Sequence, residues 1–112
     1  MDKDRRKAML ICSEVMGYFV EHRAQRLQVD FDVSNGRIAV TVSGHMPDRP
    51  HDLAALRAAL NEPRQPEMDE YYDGLLGYDS AQHGYHLLGA VVDEAEIRYE
   101  DGFLSIHVIR RQ

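Results

Sequence analysis

The chain has 112 residues, of which 44% are apolar and 29% charged, and this suits one small domain spanning residues 1–112 with a modest core. Its formal net charge of −6 argues against a nucleic-acid partner, because nucleic acids are bound by basic surfaces. No apolar run reaches the ~18 residues that a membrane span needs, and the charged start lacks an apolar signal-type segment. The single cysteine, Cys12, excludes an internal disulfide, so the sequence predicts a cytoplasmic protein.

The first predicted element is a helix over residues 3–24. Its core-facing stripe has helical spacing and comprises Ala8, Ile11, Cys12, Val15 and Phe19. Glu14, Tyr18 and His22 stand at i, i+4 and i+8, which places their three side chains together on one face of this helix.

A β-hairpin is predicted next, over residues 27–43. Apolar and polar residues alternate on both sides of Asn35-Gly36, the pair best suited to a type I′ turn. A two-residue loop puts all the apolar side chains on one face, because it pairs Val33 with Ile38, Phe31 with Val40 and Val29 with Val42. The opposite face is expected to contact water, and it carries Asp30, Asp32 and Thr41.

Three helices are predicted after this hairpin. The first runs from Asp48 or His51 to Asn61, with an apolar face of Leu53, Leu56 and Leu60. The second spans residues 67–76, between Pro66 and Gly77. The third spans residues 81–93, and the spacing i, i+3, i+4, i+7 predicts a buried face formed by Leu88, Val91, Val92 and Ala95.

The chain ends in a second hairpin, turned by Asp101-Gly102, after which Arg110 and Arg111 are expected in solvent. Its apolar residues again share one face, formed by Ile97, Tyr99, Leu104, Ile106 and Val108. Together the elements predict an α/β (α+β) two-layer sandwich, with one mostly antiparallel sheet built from two hairpins and helices on one face of it.

The stretch around the last predicted helix combines a glycine loop, an apolar helix, an acidic segment and a strand. This order resembles the end of the GHKL ATPase-like domains, above all the histidine-kinase ATP domains and the bacterial anti-sigma-factor kinases. The matching positions are Gly84, Leu87, Leu88, Asp93, Glu94 and Glu96. The resemblance covers nearly the whole chain in order and implies a histidine-kinase-like ATPase fold that is N-terminally short.

The ATP-binding boxes of that family are altered in this chain. The first box reads Ser-Glu-x-x-x-Asn-x-x-x-His, where the asparagine holds Mg²⁺; Glu14 and His22 match it, and Tyr18 replaces the asparagine. The second and third boxes, Asp-x-Gly-x-Gly and Gly-x-Gly-Leu, retain only Gly44 and Gly84. The resemblance makes these five residues the candidate nucleotide-binding positions, and the lost groups argue against ATP turnover.

The leading interpretation is a degenerate, non-catalytic domain that binds a protein in bacterial signalling and needs no cofactor or metal. Residues 65–97 contain eight Asp or Glu and no Lys or Arg, together with tyrosines, which are enriched at interfaces. Charge reversal at Glu70 and Asp73 is expected to weaken capture of this partner, such as a signalling regulator. The chain would be a monomer or a homodimer. The predicted docking residues are Glu70, Tyr71, Tyr72, Asp73 and Tyr78.

Other interpretations stay open at this point. A divergent ATP-binding kinase or ATPase, resembling the anti-sigma-factor serine kinases, would use Glu14 as its catalytic general base, with ATP and Mg²⁺ bound. A metal or small-ligand sensor would use His83-x-x-His86 with a third histidine, drawn from His22, His45 and His51. The plainer alternatives are a solvated acidic face at residues 67–73 and a solvated or salt-bridged Glu14.

Overall fold

The computed structural model describes residues 3–63 and 86–111. In these ranges the elements are helix α1 (Lys3–Glu21), strands β1 (Leu27–Ser34) and β2 (Arg37–His45), helix α2 (Leu53–Leu60), helix α3 (His86–Val91) and strands β3 (Glu94–Glu100) and β4 (Phe103–Arg111). The four strands form one antiparallel sheet in the order β1-β2-β4-β3. The predicted α+β architecture, with one antiparallel sheet built from two hairpins, is therefore confirmed.

Both hairpins turn as their sequences predict. Asn35 and Gly36 have φ angles of 54° and 69°, and Asp101 and Gly102 have φ angles of 52° and 78°, so both central residues of each turn are left-handed. This is the type I′ geometry, whose twist matches that of the flanking strands. The predicted pairings of the first hairpin are confirmed, including Phe31 with Val40, and in the second hairpin Ile97 pairs with Ile106 across the two-residue loop.

A single core lies between the described helices and one face of the sheet. Three of the strands contribute alternate buried residues to it, namely Ile38, Val40, Val42, Ile97, Leu104, Ile106 and Val108. The predicted apolar faces of α1 and α2 are also buried, with Cys12 packed at the margin of the core. The two helices and the sheet thus form the two layers that the alternation in the strands predicts.

The end of helix α3 differs from the prediction. The helix ends at Val91, and Ala95 lies in strand β3, where it pairs with Val108, so its assignment to the helical stripe is wrong. The chain changes from helix to strand after Val91 because the Asp93 N–H donates to the Ile109 carbonyl of β4 at 2.8 Å. The Asp93 carboxylate also accepts the Arg111 N–H at 2.6 Å.

The expectation that Arg110 is solvated is wrong as well. Its side chain is buried, and its guanidinium donates from Nη1 to the Val91 carbonyl at 2.9 Å. A helix leaves its last carbonyls without partners inside the helix, and a cation there also complements the negative end of the helix dipole. Arg110 therefore closes the C-terminus of α3 from the neighbouring strand.

Helices α2 and α3 meet at a glycine. A Cβ atom placed on Gly89 would lie 1.9 Å from the Ala59 carbonyl oxygen and 3.0 Å from the Ala59 carbonyl carbon. The two backbones are therefore in direct contact, and any side chain at position 89 would separate them. Sequence reasoning singled out Gly84 and overlooked Gly89, although a glycine inside an apolar helix indicates a close approach of this kind.

Several sequence predictions fall outside the described residues. They are the helix over residues 67–76, the start of the helix over residues 81–93, and Gly84, which the family resemblance matches to the third box. The predicted docking residues also fall there, namely Glu70, Tyr71, Tyr72, Asp73 and Tyr78.

Candidate functional site

One face of α1 carries the residues that the family resemblance singled out. Glu14 and Tyr18 lie on it as predicted, and His22 continues it in the turn just after the helix ends at Glu21, where its N–H donates to the Tyr18 carbonyl. Glu14 is 3% exposed, Tyr18 is 1% exposed and His22 is half-buried. Of the two plainer alternatives for Glu14, the solvated surface acid is therefore wrong, and the salt-bridged acid stays a prediction.

Tyr18 is held by a residue from the start of helix α2. Its hydroxyl donates a hydrogen bond to Oδ1 of Asp52 at 2.7 Å. Asp52 occupies the position before the first residue of α2, where aspartate normally accepts backbone N–H groups of its own helix, but it makes no such capping bond here. Its carboxylate instead joins α2 to the centre of α1.

His22 completes this cluster. Its Nδ1 lies 2.8 Å from the Tyr18 carbonyl oxygen, and that nitrogen must carry the hydrogen because a carbonyl only accepts. Its Nε2 lies 3.3 Å from Oδ1 of Asp52, the same oxygen that Tyr18 contacts. The two rings stack with centroids 4.1 Å apart, so Tyr18, His22 and Asp52 form one connected unit, here called the Tyr18 cluster.

The environment of Tyr18 keeps its phenol neutral. Burial, the hydrogen bond to Asp52 and the nearby carboxylate charges of Asp52 and Glu21 all raise the pKa of Tyr18 far above its ordinary value of about 10. A neutral phenol whose proton is engaged by Asp52 is a weak metal ligand, since Mg²⁺ prefers carboxylate, amide and water oxygens. The cluster therefore joins two helices and offers no nucleophile or strong metal ligand at Tyr18.

Gly44, which the family resemblance matches to the second box, lies near the end of β2. A Cβ atom at this position would lie 2.8 Å from the Arg26 carbonyl oxygen and 3.1 Å from Cδ2 of Leu27. The glycine allows the connection between α1 and β1 to pack against β2. Its presence is explained by this contact without a bound nucleotide.

An exposed apolar surface runs between α1 and the edge strand β1. The exposed fractions are 53% for Met9, 62% for Val20, 43% for Val29 and 42% for Phe31. A cavity of about 450 Å³ lies among Met9, Val20, Phe31 and the half-buried Cys12 and Met16, which all belong to what we call the α1–β1 surface. Burial raises the pKa of the Cys12 thiol, which keeps this surface uncharged there.

Sequence reasoning assigned Val29 and Phe31 to the correct face of the hairpin but did not reveal that this part of the face is exposed. Strand β1 is at the edge of the sheet, and α1 lies mainly over β2. Helical spacing does indicate the other side of the surface, because Met9, Cys12, Met16 and Val20 recur every three or four residues on α1. This second apolar stripe on α1 could have predicted the exposed surface.

Among the described strands, β1 pairs only with β2, so its outer edge also offers backbone hydrogen-bonding groups. In a hairpin with a two-residue turn, the residues that flank the turn form a hydrogen-bonded pair, here Ser34 and Arg37. Alternate residues of β1, including Val29 and Phe31, therefore direct their N–H and C=O groups away from β2. At the other edge of the sheet, Arg57 of α2 donates from Nη2 to the Ile97 carbonyl of β3 at 3.0 Å.

Among residues 3–63 and 86–111, no three His, Cys, Asp or Glu side chains are close enough to hold a metal ion. No helix in the same ranges is both long and apolar enough to cross a membrane. Comparisons with models of known protein families and with curated proteins find no match to this chain.

Proposed function

We propose that this protein is a degenerate, non-catalytic domain of the GHKL type that acts in bacterial signalling by binding another protein. The observation that carries the proposal is the hydrogen bond from the buried Tyr18 side chain to the half-buried Asp52. Tyr18 occupies the position of the family's Mg²⁺-binding asparagine, and its hydroxyl is engaged by a residue of the same chain. A phosphate-bound Mg²⁺ at this position would require that bond to break.

The order of the elements supports the family assignment. Helix α1 and the turn after it carry Glu14 and His22, the two residues that match the family's first box. A hairpin follows this helix, and a second hairpin completes the sheet after the other described helices. Every described helix packs on the same face of that sheet. A divergent kinase or ATPase with the same fold would keep Glu14 as its base, and the nucleotide titration that closes the Discussion separates the two proposals.

We place the partner on the α1–β1 surface, as an extended segment that adds a strand to the outer edge of β1. Backbone hydrogen bonds would provide affinity, and the alternating side chains of the segment would provide specificity. On the helix-facing side the added strand meets Val29 and Phe31, so its residues there are apolar. On the other side it meets Asp30 and Asp32, so its residues there are basic.

The same charges argue against a second copy of this chain as the occupant. Antiparallel pairing of β1 with itself about a two-fold axis, with the apolar faces matched, places Asp30 and Asp32 near the same residues of the other copy. Like charges directly opposite each other on a sheet are destabilising. Charge complementarity therefore favours a basic partner strand over a homodimer through this edge.

The proposal predicts that β1 distinguishes strand-forming peptides by charge. A labelled peptide of alternating valine and lysine should bind more tightly than one of alternating valine and glutamate. The double substitution Asp30→Lys with Asp32→Lys, on a solvent-facing side of the sheet, should reverse this preference while the protein stays folded. Fluorescence anisotropy measures both affinities, and Phe31→Ser should weaken binding of either peptide.

The matched control is Glu96→Lys, which changes an exposed acid on the far edge strand β3. This substitution should leave the preference unchanged, because Arg57 covers part of that edge. Equal affinities for the two peptides in the wild-type protein, or a preference that the double substitution leaves unaltered, would remove β1 as the docking edge.

A further inference from the structure

A group of basic side chains surrounds a recess at the end of the sheet that lies opposite the Asn35-Gly36 turn. Arg23, Gln25, Arg26 and His45 line a cavity of about 320 Å³. Arg26 and His45 also line an adjoining cavity of about 660 Å³, which extends to Phe103. We call the two together the basic recess, and it stands out because the chain as a whole has a net charge of −6.

Arg23 is held in the recess by the end of helix α1. Its N–H donates to the Val20 carbonyl at 3.0 Å, and the Ala24 N–H donates to the Phe19 carbonyl at 3.0 Å. These two bonds form a Schellman motif with Arg23 in the left-handed position, at a φ of 63°. Glycine normally occupies this position, so the left-handed conformation is costly for an arginine, and the helix end would form at least as well with glycine there.

The remaining walls of the recess are fixed by backbone contacts. Gly44 lets the Arg26 carbonyl approach strand β2, because a Cβ at position 44 would lie 2.8 Å from it. Beyond His45, the Met46 N–H donates to the Gly102 carbonyl at 2.7 Å. The Tyr99 hydroxyl donates to the Met46 and Pro47 carbonyls at 2.7 and 3.0 Å. The recess is therefore built into the fold before any ligand binds.

Among the described residues, no acidic side chain lines the recess or forms an ion pair with its basic side chains. Within residues 3–63 and 86–111, no hydrogen bond or ion pair engages the side chains of Arg23, Arg26 or His45. The His45 ring does contact the exposed ring of Phe103, with centroids 5.3 Å apart. Two unpaired guanidinium groups thus lie beside a flat apolar platform.

We propose that the basic recess binds a phosphate monoester whose organic part is flat and apolar. The planar guanidinium groups of Arg23 and Arg26 match two phosphate oxygens each, and His45 supplies a further donor. The organic part lies against Phe103 and Leu27 in the larger cavity. This site is separate from the Tyr18 cluster and from the α1–β1 surface, so its test does not depend on the proposed protein-binding function.

The test is a calorimetric titration of phenyl phosphate and of inorganic phosphate into the full chain. Phenyl phosphate should bind more tightly, and Phe103→Ser should abolish its advantage. Arg23→Gly and Arg26→Gln should each weaken phenyl phosphate binding about tenfold or more, as the loss of a charge-assisted hydrogen bond does. Arg37→Gln, at the far end of β2, removes the same charge from outside the recess and should leave the affinity unchanged.

Arg23→Gly separates binding from folding. Glycine is the preferred residue at this helix end, so the thermal midpoint of the variant should equal or exceed that of the wild-type protein. The proposal is overturned if the wild-type chain binds neither probe at millimolar concentration. It is also overturned if Arg37→Gln weakens binding as much as Arg23→Gly does, which would indicate general charge attraction.

A phosphotyrosine peptide shows whether the ester that binds is a phosphorylated protein side chain or a free small molecule. Tighter binding of the peptide than of phenyl phosphate assigns the ester to a phosphorylated protein side chain. Equal or weaker binding of the peptide assigns it to a free small molecule. Both results uphold the recess as a phosphate monoester site, provided that Arg23→Gly weakens the binding.

Discussion

Replacing Gly89 with alanine is expected to destabilise the protein by about 3 kcal/mol or more, as overpacking of a closely fitted core does. The added methyl group would lie 1.9 Å from the Ala59 carbonyl oxygen, so α2 and α3 must move apart. Helix propensity alone would favour alanine by about 1 kcal/mol, so the steric clash decides the sign of the change. Urea denaturation of the two proteins measures the difference in the free energy of unfolding.

Two variants show whether the clash is with backbone, as the structure requires. Ala59→Gly in the Gly89→Ala background should not restore stability, because the contacted atom is a carbonyl oxygen that glycine retains. Ala54→Ser, at an exposed position of α2, should change stability by less than about 0.5 kcal/mol. A Gly89→Ala protein as stable as the wild type would contradict the direct contact between α2 and α3.

Removing the carboxylate of Asp52 is expected to cost about 1–3 kcal/mol, because Asp52→Ala leaves the buried hydroxyl of Tyr18 without its acceptor. Tyr18→Phe should cost less, about 1 kcal/mol, since the Asp52 side chain is 41% exposed and regains water. The double variant should then be little worse than Asp52→Ala alone. Chemical denaturation of the four proteins in this cycle gives the coupling energy between the two residues.

Asp48→Ala is the control for this cycle, because Asp48 is an exposed acid in the same loop. It should leave stability unchanged within about 0.5 kcal/mol. Strictly additive effects of Asp52→Ala and Tyr18→Phe would show that the two side chains do not interact, and the main support for the proposed function would be lost.

The hairpins could be predicted from the sequence because two independent local signals agree. The Asn35-Gly36 pair sets the turn type, and the alternation of apolar residues sets the face, so only one register satisfies both. The end of α3 could not be predicted in this way. The helical spacing of Ala95 is local, whereas the bond from the Asp93 N–H to the Ile109 carbonyl depends on the neighbouring strand.

The candidate site was only partly predictable for a similar reason. Helical spacing placed Glu14, Tyr18 and His22 on one face, and this is confirmed for Glu14 and Tyr18 within α1, whereas His22 contacts Tyr18 from the turn after the helix. Asp52 lies 34 residues from Tyr18 in the sequence and has the form of an ordinary helix cap, so nothing local marks it as the partner of a buried tyrosine. Likewise, Phe31 is exposed because β1 is an edge strand, and the alternation of apolar residues within one hairpin does not predict the order of strands in the sheet.

The proposal that the protein is non-catalytic is tested most directly by a calorimetric titration of ATP, with and without Mg²⁺. The titration is made into the wild-type chain and into the double variant Arg23→Gly with Arg26→Gln, which removes phosphate binding by the basic recess. We predict that neither protein shows Mg²⁺-dependent binding, and that any Mg²⁺-independent binding by the wild type is lost in the variant. Micromolar, Mg²⁺-dependent binding that persists in the variant would contradict the account and would restore Glu14 as the candidate base of a divergent kinase or ATPase.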